Sequence, residues 1–127
     1  MVYIVESSKS FAEAIFDLPP VVQRLGFVVQ HVHDLCDTQR HKEMALDDEC
    51  QVFAVVNYRL TEQLLAVDMR FSLNLPWRIS VFTENGATKI GVLSPLILLN
   101  QLSANPLLER VAREIEEKLI QIVDEAR

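Results

Sequence analysis

The sequence predicts an α+β domain, a mainly antiparallel sheet with its long helices on one face, and three observations carry that prediction. Asn85-Gly86 separates two strand-like runs, Trp77 to Thr83 and Thr88 to Leu93, and this dipeptide tolerates the two positive backbone angles of a tight hairpin turn. Near the C-terminus, Leu108, Val111, Ala112, Ile115, Leu119, Ile122 and Val123 recur at helical spacing, with Arg110, Arg113 and Glu117 opposite, which is the stripe of a helix lying across a sheet. Over the whole chain the segments follow the order β-α-β-(α)-β-α-β-β-α, and such an order favours helices gathered on one side of an antiparallel sheet.

Each element has a local cause. Val2 to Val5 is a short β-branched run that suits a first strand, and the polar stretch Glu6 to Ser10 ends it. Ser10 with Glu13 three residues later forms a capping-box pattern, after which Phe11, Ile15, Leu18, Val22 and Leu25 share one helical face. Pro19 and Pro20 interrupt that face, and because proline lacks an amide donor they predict a kink or break near Leu18, with Gly26 ending the second piece. Phe27 to His33 reads as a strand with Phe27, Val29, His31 and His33 on one face and Val28, Gln30 and Val32 on the other. The polar stretch Asp34 to Glu49, with Leu35, Met44 and Leu46 as apolar anchors, reads as a short helix with loops.

Val52 to Val56 is apolar without alternation, the mark of an interior strand covered on both sides. Asn57 is placed to cap a helix from about Arg59 to Val67, in which Leu60, Leu64 and Val67 repeat at helical spacing. Ser94-Pro95 opens a short helix through Leu99, and Asn105-Pro106 is a cap followed by a first-turn proline. No repeat, low-complexity segment or long linker divides the 127 residues, so residues 1–127 read as one domain.

Composition narrows the function classes. Half the residues are hydrophobic, the net charge is −6, and no cluster of Lys and Arg offers the concentrated positive charge that nucleic acid or an anionic membrane surface demands. No apolar run approaches the roughly 18 to 20 residues of a spanning helix. The N-terminus carries no basic-then-apolar signal pattern, and Cys36 and Cys50 lack CxxC spacing, so the expected setting is the cytoplasm with two reduced thiols. A Gly-rich phosphate loop, HExxH, GxSxG and paired zinc-ligand motifs are all absent, which argues against a common hydrolase or phosphate-handling enzyme.

The residues that could carry chemistry are few. His31 and His33 alternate along a strand and would project from one face, where Cys36 or His41 could complete a metal site, although alternating polar residues more often form a solvated or interfacial face. Cys50 could act as a nucleophile but equally suits the small apolar niche in which cysteine is commonly buried. Asn57 reads as a cap rather than a ligand contact. Tyr58, Trp77 and Arg78 could line a cleft or stack on a planar ligand, the alternative being packing at a sheet edge or dimer interface. Glu109, Glu114, Glu116 and Glu117 flank or oppose the apolar stripe of the last helix and read as solvated surface.

The order Ser10-Phe11, Gly26-Phe27, Asp34-Leu35, Val56-Asn57, Leu75-Pro76, Asn85-Gly86 and Ser94-Pro95 resembles the family catalogued as domain of unknown function 302 (DUF 302) over most of the chain. The resemblance implies a fold similar to the TATA-binding-protein type and homodimers, with no assigned activity or cofactor. The chain departs from the family pattern in having Val56-Asn57-Tyr58 where Cys-Asn-Pro is usual and Leu75-Pro76-Trp77 where Leu-Pro-Cys is usual. Neither Val56 nor Trp77 supplies a thiolate, so a metal or redox role resting on those cysteines would not be inherited.

The resulting expectation is a homodimeric small-molecule-binding or protein-interaction domain. Its apolar cleft lies on the sheet face opposite the helices, near His31, His33, Tyr58, Trp77 and Arg78, since an uncovered apolar sheet exposes more than monomers usually tolerate. The alternative is a small metal or redox enzyme using His31, His33, Cys36 or Cys50.

Overall fold

The computed structural model describes residues 2–36 and 48–127. Along the chain the elements are β1 (Val2–Ser7), α1 (Phe11–Arg24), β2 (Val28–Asp34), β3 (Cys50–Val56), α2 (Tyr58–Val67), a 3-10 helix (Met69–Asn74), β4 (Trp77–Glu84), β5 (Ala87–Leu93), α3 (Pro95–Asn100) and α4 (Pro106–Ala126). The strands form one five-stranded sheet in the order β1-β5-β4-β3-β2, antiparallel throughout. The expected α+β class and helix placement are met. Anything the segment between Asp34 and Glu49 forms over residues 37–47, including Met44, Leu46 and His41, lies outside the described residues.

The core is a layer between helices and sheet. Phe53 and Val55 of β3, Trp77, Ile79 and Val81 of β4, and Ile90 and Val92 of β5 meet Ala14, Leu18 and Val22 of α1, Leu60 and Leu64 of α2, and Leu108, Ala112, Ile115, Leu119, Ile122 and Val123 of α4. The C-terminal stripe is buried as its spacing predicts, apart from Val111, which is partly buried. The helix α4 lies against β5 and β1, and against the other three helices.

Capping explains where the helices begin. Ser10 Oγ accepts from the Glu13 amide at 3.2 Å, Ser94 Oγ from the Ile97 amide at 3.3 Å, and Asn105 Oδ1 from the Leu107 amide at 2.9 Å. Asn57 does more than cap: Oδ1 accepts from the Leu60 amide at 3.0 Å while Nδ2 donates to the Gly26 carbonyl at 3.1 Å, tying the start of α2 to the turn after α1. Between β4 and β5, Asn85 (φ 53°) and Gly86 (φ 81°) both take positive φ, as the hairpin requires.

Two local expectations are corrected. Of the expected kink or break, the break is the part overturned: α1 runs unbroken from Phe11 to Arg24 with Pro19 and Pro20 inside it. Ala14, Leu18 and Val22 stay fully buried through the proline pair, and this continuous packed stripe offsets the missing amide donors, whose partner carbonyls would be those of Ile15 and the exposed Phe16. Gly26 still ends the segment, with φ +88°.

The second correction concerns β2. Val29 pairs with Val55 but His31 pairs with Ala54, so two residues of β2 oppose one step of β3 and a β-bulge is inserted at Gln30. The bulge reverses the alternation. Phe27 is buried and Val29 packs against the core on the helix side, whereas His31 and His33 pair with Ala54 and Val52 and share their opposite face.

Candidate functional site

The helix-free face of the sheet follows from strand parity. Residues in the core alternate along each strand with residues on the other side. That side carries Val2, Ile4 and Glu6 of β1, Lys89, Gly91 and Leu93 of β5, Arg78, Ser80 and Phe82 of β4, Cys50, Val52, Ala54 and Val56 of β3, and Val28, His31 and His33 of β2. No helix of the described residues covers it.

At the β1 side this face forms a trough of about 260 Å³, with walls from Val2, Ile4, Leu93, Val52 and Phe82 and a floor at Ser80 and Gly91. Gly91 has a packing reason to be glycine: an added Cβ would sit 2.9 Å from Ile4 Cγ1 and 3.3 Å from the Tyr3 carbonyl oxygen. Its missing side chain lets Ile4 lie over β5. The apolar wall is open to solvent, with Val2 59%, Ile4 49% and Leu93 55% exposed.

Among the described residues Arg78 is the one charged residue lining the trough. Among the described residues it forms no ion pair, unlike Arg24, Arg59, Arg70 and Arg113, each of which pairs with a carboxylate. Arg78 also lines a recess of about 70 Å³ with Asn74, Pro76, Trp77 and Leu98. Asn74 Nδ2, a hydrogen-bond donor shielded from solvent, finds no partner among the described residues.

The expected ligand set does not come together as one site. His31, His33 and Arg78 share the helix-free face, with Ala54 between His31 and Arg78. The two histidines stand on the edge strand, ring centroids 4.2 Å apart and edge to face, outside the trough lining. Trp77 points the other way and is buried in the core beneath the helices, because adjacent residues on β4 must face opposite sides. Tyr58 is exposed at the start of α2, where its hydroxyl accepts from Gln30 Nε2 of the β2 bulge at 3.4 Å. Missing from the expected set are Val2, Ile4, Gly91, Leu93 and Asn74. The alternation of β1 marks Val2 and Ile4 as facing away from Tyr3 and Val5, but only the pairing of β1 with β5 brings them beside Gly91.

The metal and thiol readings find little support in this geometry. Among the described residues no three His, Cys, Asp or Glu side chains converge as metal ligands; His41 lies outside them. Burial, followed by the neighbouring Cys50 thiol and Asp34, pushes the Cys36 thiol above its ordinary pKa, which lowers its thiolate fraction at neutral pH. Cys50 Sγ faces Ser80 Oγ at 3.8 Å, and both cysteines are free.

Comparison with known proteins matches the fold. A crystal structure of an uncharacterized conserved DUF302 protein from Bacillus stearothermophilus superposes with a TM-score of 0.91 at 26% sequence identity, covering 99% of this chain and 98% of that one. No curated protein matches the sequence. The family model described as "Domain of unknown function DUF302" matches residues 3–126, so nearly the whole chain is accounted for and the protein belongs to the DUF302 family.

Proposed function

We propose that the chain is a homodimeric binding domain whose working surface is the helix-free face of the sheet, with the trough serving as an apolar cleft for a small molecule. One observation carries the reading. Val2, Ile4 and Leu93 form a contiguous exposed apolar wall around a depression, on a sheet whose other face packs against the helices. An apolar concavity with a few polar groups at its margin is the usual form of a small-ligand site, and a contiguous apolar patch favours a protein partner around it. A second copy placed over this face would bury the wall and close the cleft against water.

Light scattering tests the dimer. At micromolar concentration the expected mass is about 29 kDa, twice the 14.5 kDa chain, and Ile4→Asp should shift it toward the single chain because the carboxylate would be buried without a partner. A monomeric mass for the unaltered protein would refute the homodimer. The reading as a metal or redox enzyme gains no specific observation from the arrangement of His31, His33, Cys36 and Cys50.

A further inference from the structure

The trough and the adjoining recess share Arg78. The trough wall is aliphatic and aromatic, and among the described residues its only charge is the Arg78 guanidinium and no carboxylate lines either depression. Arg24, Arg59, Arg70 and Arg113 each pair with a carboxylate, whereas Arg78, like Arg110 and Arg127, forms no ion pair among the described residues; of these three it is Arg78 that stands at the boundary between the apolar groove and the recess. Asn74, which also lines the recess, carries an Nδ2 that is shielded from solvent and has no partner among the described residues. A shielded donor without an acceptor is costly, and a guanidinium binds a carboxylate through two parallel N–H bonds.

We propose that the site holds an amphipathic organic acid, its apolar body lying in the trough over Gly91 and Ser80 and its carboxylate taken by Arg78 and Asn74 at the recess. This deepens the reading of the trough as a ligand cleft and rests on it. Complementarity is chemical at both ends: Val2, Ile4, Phe82 and Leu93 exclude water from the body, and the two donors satisfy the anion. A neutral ligand would leave Arg78 and Asn74 without an acceptor. A dianion would bring a second charge for which neither depression offers a cation. Together the two volumes lie near the lower end of small-ligand cavities, roughly 300 Å³, which limits the body to a short chain or a single ring system.

The probes are decanoate and decanol, which share a tail and differ in the charged head, titrated by calorimetry into the full chain and into Arg78→Met and Asn74→Ala. Arg78 is exposed, and methionine keeps its apolar stem, so the fold should persist. The expected result is decanoate binding at least about tenfold tighter than decanol, a preference that Arg78→Met abolishes and Asn74→Ala reduces, with decanol affinity unchanged. Equal binding of both probes, or a carboxylate preference that survives Arg78→Met, overturns the anion site while leaving the apolar cleft standing. Binding of neither probe overturns the cleft as well.

Discussion

Replacing Asn57 by alanine should cost about 2 kcal/mol of stability, and the two halves of that figure come from different environments. Its Oδ1 holds the amide of Leu60, a fully buried residue, so the freed N–H has little water to turn to and the loss falls in the upper part of the cap range, about 1.5 kcal/mol. Its Nδ2 holds the Gly26 carbonyl, but Gly26 is exposed and water can replace the bond, leaving about 0.5 kcal/mol. Asn57→Ser keeps an acceptor at the cap and is too short to reach Gly26, so it should lose only the smaller half. Urea unfolding followed by the fluorescence of Trp77, the single tryptophan and a buried one, reads both variants at equal protein concentration. With a slope of about 1.5 kcal/mol per molar, the alanine midpoint should fall by about 1.3 M. An alanine variant within about 0.5 kcal/mol of the parent, or a serine variant as costly as alanine, would refute the account of this residue as a cap first and a tether second.

Other outcomes follow from single contacts. Ile115→Ala in the fully buried stripe of α4 should cost about 2 to 5 kcal/mol by the same unfolding measurement. Gly91→Ala should loosen β1, since the new methyl meets Ile4 and the Tyr3 carbonyl, and faster amide exchange at Val2–Ser7 is the readout. The Tyr3 phenol donates to Asp124 across β1 and α4, and this hydrogen bond, followed by burial and the Asp124 charge, raises the Tyr3 pKa above its ordinary value. Because the folded value is the higher one, the contact's stabilisation is present below about pH 10 and is lost as pH rises through the folded pKa. Tyr3→Phe should remove that alkaline decline, with the remaining Tyr58 as the control in an ultraviolet titration.

The parts of the fold legible in the sequence are those with local causes. Ser10, Asn57, Ser94 and Asn105 bond to amides two or three residues away, and the Asn85-Gly86 turn needs nothing outside itself. Pro19 and Pro20 misled because tertiary packing of Leu18 and Val22 overrides a local preference. The bulge at Gln30 left no sequence mark, and with it the shared face of Val29 and the histidines was misread. For the candidate site, Arg78 was legible as a residue able to line a cleft, but grouping it with Trp77 violated parity. The trough itself was not legible. It exists because β1 is hydrogen-bonded to β5, a strand far along the chain that pairs Val2 with Leu93 and Ser7 with Thr88, and a contact of that separation is written in no local pattern.

Hydroxyl-radical footprinting of the unaltered protein tests the central claim, that the helix-free face is the working surface. Leu93 on that face and Leu107 at the start of α4 are the same residue type with similar exposure in the single chain, 55% and 61%. If the face is covered, Leu93 should be oxidised several-fold more slowly than Leu107 at micromolar concentration, and Ile4→Asp should restore its reactivity. Equal rates at the two leucines in the unaltered protein would contradict the claim.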